Sequence, residues 1–196
     1  MGTALDTIAL ETLFSHARSH NGWQDKDISD ELLTQLYDLF KMGPTGANSC
    51  PARILFIRSA AAKEKLKDCL QEGNIEKSMT APVVAVIAMD MKFYEQLPLL
   101  FPHTDAKSWF EGKTEKIRHS AFRDSTLQGA YLMMAARSLG LDCGPMSGFD
   151  NKKFDEVFFK DTDNESLFLC ALGYGDASKL HPRGPRLDFS QVCKIL

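Results

Sequence analysis

No HExxH motif occurs in this chain of 196 residues. Apart from His16 and His20, which stand four residues apart, the five histidines are scattered, and no metal site is expected. The cysteines Cys50, Cys69, Cys143, Cys170 and Cys193 are odd in number and form no CxxC. That argues against a disulfide framework and suits a reducing, cytoplasmic setting. A basic excess is missing as well. The formal net charge is -3, so neither a nucleic-acid-binding surface nor a basic membrane face is expected. No apolar run approaches ~18 residues, which leaves no expected membrane span. The opening "MGTALDTIALETLF" has no charged region, apolar stretch or cleavage site of a leader, and no Ser or Thr at the sixth position for myristoylation. Walker A and GxSxG are absent. "GYGDAS" begins like GxGxxG, but Pro182 and Pro185 follow where a helix would have to open, so it reads as a strand-ending turn.

The composition is otherwise ordinary. Hydrophobic residues make up 44% and charged residues 25%, enough for residues 1–196 to bury a core as one domain. Leu5, Ile8, Ala9, Leu13, Phe14 and Ala17 predict a helix over 5–18. Ser29, followed by Asp30 and Glu31, caps a second helix that buries Leu32, Leu33, Leu36 and Phe40 and stops at Gly43 and Pro44. "RILFIR" (53–58) reads as a core strand. "AAAKEKLKDCLQEG" reads as an exposed helix closed by Gly73. "APVVAVIAM" (81–89) is apolar and β-branched throughout, the pattern of a central strand covered on both faces. Residues 90–119 read as short helices among loops, and 120–140 as a long buried helix. "LDCGPMSGFD" reads as loop, "NKKFDEVFF" as a short helix, 166–175 as a third strand, and the tail as an extended arm. The expected class is α+β.

Chemistry-bearing groups are few and dispersed. Two small-residue loops, "GPTGAN" and "GPMSGFD", offer backbone donors with Thr45 and Asn48, and Gly148 lets a ligand come close. Arg18 and Ser19 at a helix end, and Arg183 and Arg186 in "HPRGPR", are groups able to bind phosphate. Each taken singly is an ordinary solvated side chain. Cys50 is a nucleophile only if a distant base serves it.

Taken together and in order, these motifs resemble the FMN-dependent nitroreductase family along nearly the whole chain. "ARSHNGW" resembles its phosphate-binding stretch and "GPTGANSCPARILFI" its loop into the first strand. Gly73-Asn74 resembles a flavin-contacting pair, and "PMSGFD" resembles the loop that meets flavin N5. The resemblance implies a nitroreductase-like fold: a mainly antiparallel sheet flanked by helices, with a C-terminal arm exchanged in a homodimer that carries two flavins at its interface. It implies FMN as cofactor, NADPH or NADH as donor, and a small-molecule acceptor. No side chain is implied as catalytic, because flavin N5 carries the hydride. The residues implied around FMN are Arg18, Ser19, His20, Pro44, Thr45, Gly46, Asn48, Asn74, Pro145, Met146, Ser147, Gly148, Arg183 and Arg186. Gly148 N–H is assigned to N5, and Arg18, Ser19 and a tail arginine to the phosphate. Ala17 stands where a first arginine is frequent, which shifts the phosphate onto Arg18 and the tail.

"FYEQLPLLFPH" and "GPMSGFD" further resemble a branch linked to pyrimidine degradation, which reduces malonic semialdehyde (3-oxopropanoate) to 3-hydroxypropanoate. His103, Lys107 and Trp109, within a 90–119 cover, are the implied substrate contacts. The alternatives are a broad nitro- or quinone-reductase, a flavin-binding protein without turnover, and a hydrolase using Cys50.

Overall fold

The structure, a computed structural model, describes residues 2–196. Four strands form one sheet: β1 (Ala52–Ile57), β2 (Val83–Asp90), β3 (Asp142–Met146) and β4 (Asn164–Gly173). Their spatial order is β1-β2-β4-β3, and every neighbouring pair is antiparallel. β2 lies inside the sheet, and its residues from Val83 to Met89 are all buried. Side chains alternate between the two faces of a strand, so a strand covered on both sides must be apolar at every position. Val83, Ala85 and Ile87 enter one core with Leu36, Phe40, Leu132 and Ala136. Val84, Val86 and Ala88 enter the other with Leu66, Phe149 and Phe154.

The helices supply the two covers. On the first face lie α2 (Asp30–Phe40) and the long α6 (Thr114–Ser138). The expected Ser29 cap is present: its Oγ accepts from Leu32 N–H at 3.2 Å. On the second face lie α3 (Ala60–Lys67) and α7 (Asn151–Phe158). Full burial of a side chain such as Leu66 stabilises the fold by about 1.5–3 kcal/mol. A third cluster, centred on Phe93, Leu97 and Phe110, lies beneath residues 90–113, which include the short α5 (Leu97–Leu100), and packs on the start of α6 through Ile117 and Ala121. The aromatic-rich segment is therefore a small cap with its own core.

Four sequence expectations need correction. "LDCGPM" is an edge strand, β3, and not a loop; an edge tolerates Pro145 because one side of its backbone has no ladder to complete. Gly73 closes no helix: it lies in the first turn of a separate α4 (Glu72–Thr80). α6 begins six residues before its expected start, since its polar first turns carry no periodic apolar face. The N-terminal helix is short, with α1 (Thr7–Leu10) continuing as a wider π turn over Glu11–Ser15. Leu5, Ile8 and Phe14, whose spacing predicts the helix, are 55%, 73% and 58% exposed.

The "GYG" turn after β4 serves packing. A Cβ on Gly175 would sit 2.0 Å from His20 Nδ1, and Gly175 N–H donates to Asp142 Oδ2 at 2.9 Å. The turn accommodates a neighbouring ring, as its reading as a strand end requires. Beyond it the tail is extended except for α8 (Phe189–Val192). No helix among the described residues is long and apolar enough to cross a membrane.

Candidate functional site

The segment after the N-terminal helix pairs with the edge of the sheet. Ser19 bridges Cys143 in parallel, and His20 N–H donates to Cys143 O at 2.9 Å. The tail returns over the same place. Arg18 donates to His181 O, and Arg183 donates to Ser15 O at 2.7 Å and Ala17 O at 3.0 Å. Between these segments lies a cavity of about 400 Å³, lined by Arg18, Ser19, Arg137, His181, Arg183 and Arg186 among others, with no acidic residue in its wall.

The sequence has eight arginines. Four are neutralised by carboxylates: Arg53 by Asp90, Arg58 by Asp30, Arg118 by Glu165 and Arg123 by Asp124. The other four form no ion pair among the described residues, and all four line this one cavity. Such a concentration of like charge raises its own energy and favours an anion between the guanidinium groups.

β3 leads from this cavity to the second group. Gly148 follows the strand, and its carbonyl accepts from Asn74 Nδ2 at 2.9 Å and from Gln71 N–H at 3.0 Å. Gly148 N–H has no partner among the described residues. A Cβ there would lie 2.4 Å from Asn74 Nδ2 and 2.8 Å from Gln71 Oε1, so only glycine permits this approach. Asn74 stands in the first turn of α4, and Lys77 lies three residues on, on the same side of the helix. The Lys77 stem runs beside Gly144, and burial pushes its ammonium below the usual lysine range.

The structure brings Asn74 and Gly148 into contact and gathers Arg18, Ser19, Arg183 and Arg186 in one cavity. His20 has a different place: its ring is buried, with Nε2 3.3 Å from Asp142 Oδ1 and Nδ1 unpartnered beneath Gly175. It does not line the cavity. Met146 is buried, with Ser78 Oγ 3.4 Å from its sulfur, while Ser147 is exposed and Pro145 partly so.

The loop over 43–50 stands elsewhere, against the cap and α6. Ala47, Asn48 and Cys50 have φ of 52°, 50° and 42°, a left-handed conformation that side chains disfavour. The loop is held there by several bonds. Asn48 Nδ2 donates to Leu100 O at 2.9 Å, Cys50 N–H donates to Thr45 Oγ1 at 3.1 Å, and Ser49 Oγ reaches the buried Asp124 at 3.4 Å. Pro44, Gly46 and Asn48 face solvent, and Thr45 is half-buried. None of them lines the arginine cavity. The Cys50 thiol meets only Asn48 Oδ1 and Thr45 Oγ1, so no base activates it and the hydrolase reading loses its chemistry. In the cap, the His103 ring packs edge-on against Phe101 at 4.8 Å, Trp109 packs on the same ring at 6.2 Å, and Lys107 pairs with Glu111 at 3.4 Å. Asn48, through Leu100 O, and Ala47, packed on the cap's apolar cluster, tie this segment to the predicted loop.

Arg137 and Lys77 were missed. Each is a lone cation on a helix and reads as solvated surface. For Lys77 a signal existed in its spacing from Asn74; for Arg137 there was none.

These groups fit a phosphorylated planar cofactor: a cationic cavity for the phosphate, then a free backbone N–H and a carboxamide for a ring edge. Solved structures share the fold. A protein from Bacillus subtilis described as a "putative nitroreductase" superposes with a TM-score of 0.88 at 20% identity, over 97% of this chain and 100% of its own. One from Exiguobacterium sibiricum, described as a "putative nitroreductase in complex with FMN", gives 0.85 at 23%, over 100% and 99%. In sequence, the Nitroreductase family matches residues 15–174. A "Putative NADH dehydrogenase/NAD(P)H nitroreductase" from Polynucleobacter asymbioticus is 55% identical over 196 residues, the whole of both chains. The chain belongs to the nitroreductase family.

Proposed function

We propose that this protein is an FMN-dependent NAD(P)H oxidoreductase whose acceptor is malonic semialdehyde, reduced to 3-hydroxypropanoate. The observation that carries the cofactor assignment is the collection of every acid-free arginine in one cavity, joined by β3 to Gly148 and Asn74. The FMN held by the Exiguobacterium protein and the NAD(P)H named for the Polynucleobacter relative support it. When bound, FMN would supply hydride transfer from the reduced nicotinamide to the aldehyde carbon, and a proton from solvent would complete the alcohol. The chain's own part is to hold and orient. Arg18, Ser19, Arg183 and Arg186 clamp the phosphate. Gly148 N–H and Asn74 hold the ring edge, and Lys77 places a positive charge near it.

The assembly follows from what one chain leaves uncovered. Phe122, Leu127 and Tyr131 on α6 are exposed, as are Leu5, Ile8 and Phe14 at the N-terminus and Phe189, Val192, Ile195 and Leu196 in the tail. A largely apolar groove of about 940 Å³ runs between α2 and β1, at an edge of the sheet that has no neighbour. We take a second copy to cover these faces, each tail crossing to its partner, and the partner's 43–50 loop to complete each flavin site. Removing residues after 186 is expected to convert a dimer into monomers in light scattering.

The cap would then roof the site. Lys107 is engaged by Glu111, so His103 and Trp109 are the better substrate contacts. The relatives' names favour a second reading, a broad nitroreductase. Anaerobic reduction by NADPH or NADH, followed by reoxidation, separates the two. The malonic semialdehyde assignment requires kcat/KM at least tenfold higher for 3-oxopropanoate than for a nitroaromatic. Equal or reversed values remove it, and unchanged turnover in His103→Ala removes that residue.

A further inference from the structure

Arg137 has a position that its sequence context does not explain. It lies in the last turn of α6, where the negative end of the helix dipole steadies a cation. Its guanidinium reaches the cavity that holds Arg18, Arg183 and Arg186. One nitrogen, Nη1, donates to Leu13 O at 3.2 Å, while Nε is buried and has no partner. No carboxylate pairs with it among the described residues. A guanidinium carries five donors, and one left buried without an acceptor is costly, so the present hydrogen bond accounts for only part of the group.

We propose that Arg137 is a phosphate-binding residue of the cofactor site, supplying a cation from the end of α6. The assignment rests on the FMN reading. Bound phosphate gives the guanidinium an anionic partner and is gripped from three chain segments: the N-terminal stretch, the end of α6 and the tail. The purely structural alternative is that Arg137 only tethers the N-terminal helix through Leu13 O.

Riboflavin distinguishes the two, because it has the ring and lacks the phosphate. Equilibrium titration of the cofactor-free, full-length protein is made with FMN and with riboflavin. Arg137→Ala is expected to weaken FMN by about 30-fold while changing riboflavin less than about threefold. Arg137→Gln retains a donor for Leu13 O and is expected to give the same FMN-specific loss with an unchanged melting temperature, which keeps the test open if the alanine variant fails to fold. Arg137→Lys is expected to recover part of the FMN affinity, as a point charge without the fork. Equal weakening of both flavins, or of neither, overturns the assignment. Wild-type protein that binds neither flavin overturns the cofactor reading itself, a result separate from any property of the variants.

Discussion

The arginines on the rim of the sheet and those in the cavity are the same residue put to opposite uses. On the rim, Arg118 grips Glu165 through two bonds of 2.6 Å, and Arg53 meets Asp90 at 2.5 Å. These pairs are complete in the folded chain and ask for nothing more. In the cavity, Arg18 and Arg183 donate only to backbone carbonyls of the facing segments, Arg186 only to its own neighbours, and Arg137 leaves a buried nitrogen unused. Neutral acceptors leave the four charges standing. The difference separates arginines that stabilise a fold from arginines that wait for a ligand, and it appears only when all eight are placed.

Substitutions sharpen that contrast. The largest effect is expected at Arg18. Removing one charge-assisted grip on a phosphate costs about 2–3 kcal/mol, so Arg18→Ala should weaken FMN roughly a hundredfold in a fluorescence titration. Gly148→Ala comes next. Its methyl group would overlap Asn74 and Gln71, and overpacking of this kind costs about 1–3 kcal/mol. Turnover should fall while riboflavin and FMN weaken together, because the damage is at the ring and not at the phosphate.

Lys77→Met tests the same logic in stability. Burial lowers the folded-state pKa of Lys77 below the unfolded value, so its protonated form is a cost to the cofactor-free fold. The cost is full at neutral pH and fades as pH rises from the lowered value into the ordinary lysine range. The variant should melt higher than wild type at pH 7 in the absence of flavin, with the gap closing at alkaline pH. A gap independent of pH would assign the effect to packing. The smallest effect belongs to the rim. Arg118→Ala should change stability by no more than about 1 kcal/mol in denaturant unfolding and leave FMN affinity untouched.

What was legible in the sequence was local or continuous. The Ser29 cap is written in consecutive residues, and β2 is apolar at every position because both its faces are covered. β3 was not legible: glycine and proline within five residues signal a loop, and only the pairing with β4 shows an edge that tolerates them. α4 was hidden because Gly73 reads as a stop when no following apolar face is visible. At the site, Arg18, Ser19, Arg183 and Arg186 were legible through the family resemblance, and the structure puts them in one cavity. His20 was assigned with them because it adjoins Ser19, but backbone alternation turns it into the protein, beneath Gly175. Arg137 was invisible because a charge on a helix has no signature until its burial is known, and Lys77 was betrayed only by its spacing from Asn74. Leu127 and Tyr131 were read into the buried face of the 120–140 helix but are exposed, since periodicity does not say what supplies the other side.

The central claim is that the four acid-free arginines bind a phosphate, and a titration of the cofactor-free protein with FMN at low and high salt tests it most directly. The account predicts one FMN per chain, with an affinity that falls as added salt screens the cavity. Absence of binding, or binding indifferent to salt, would contradict it.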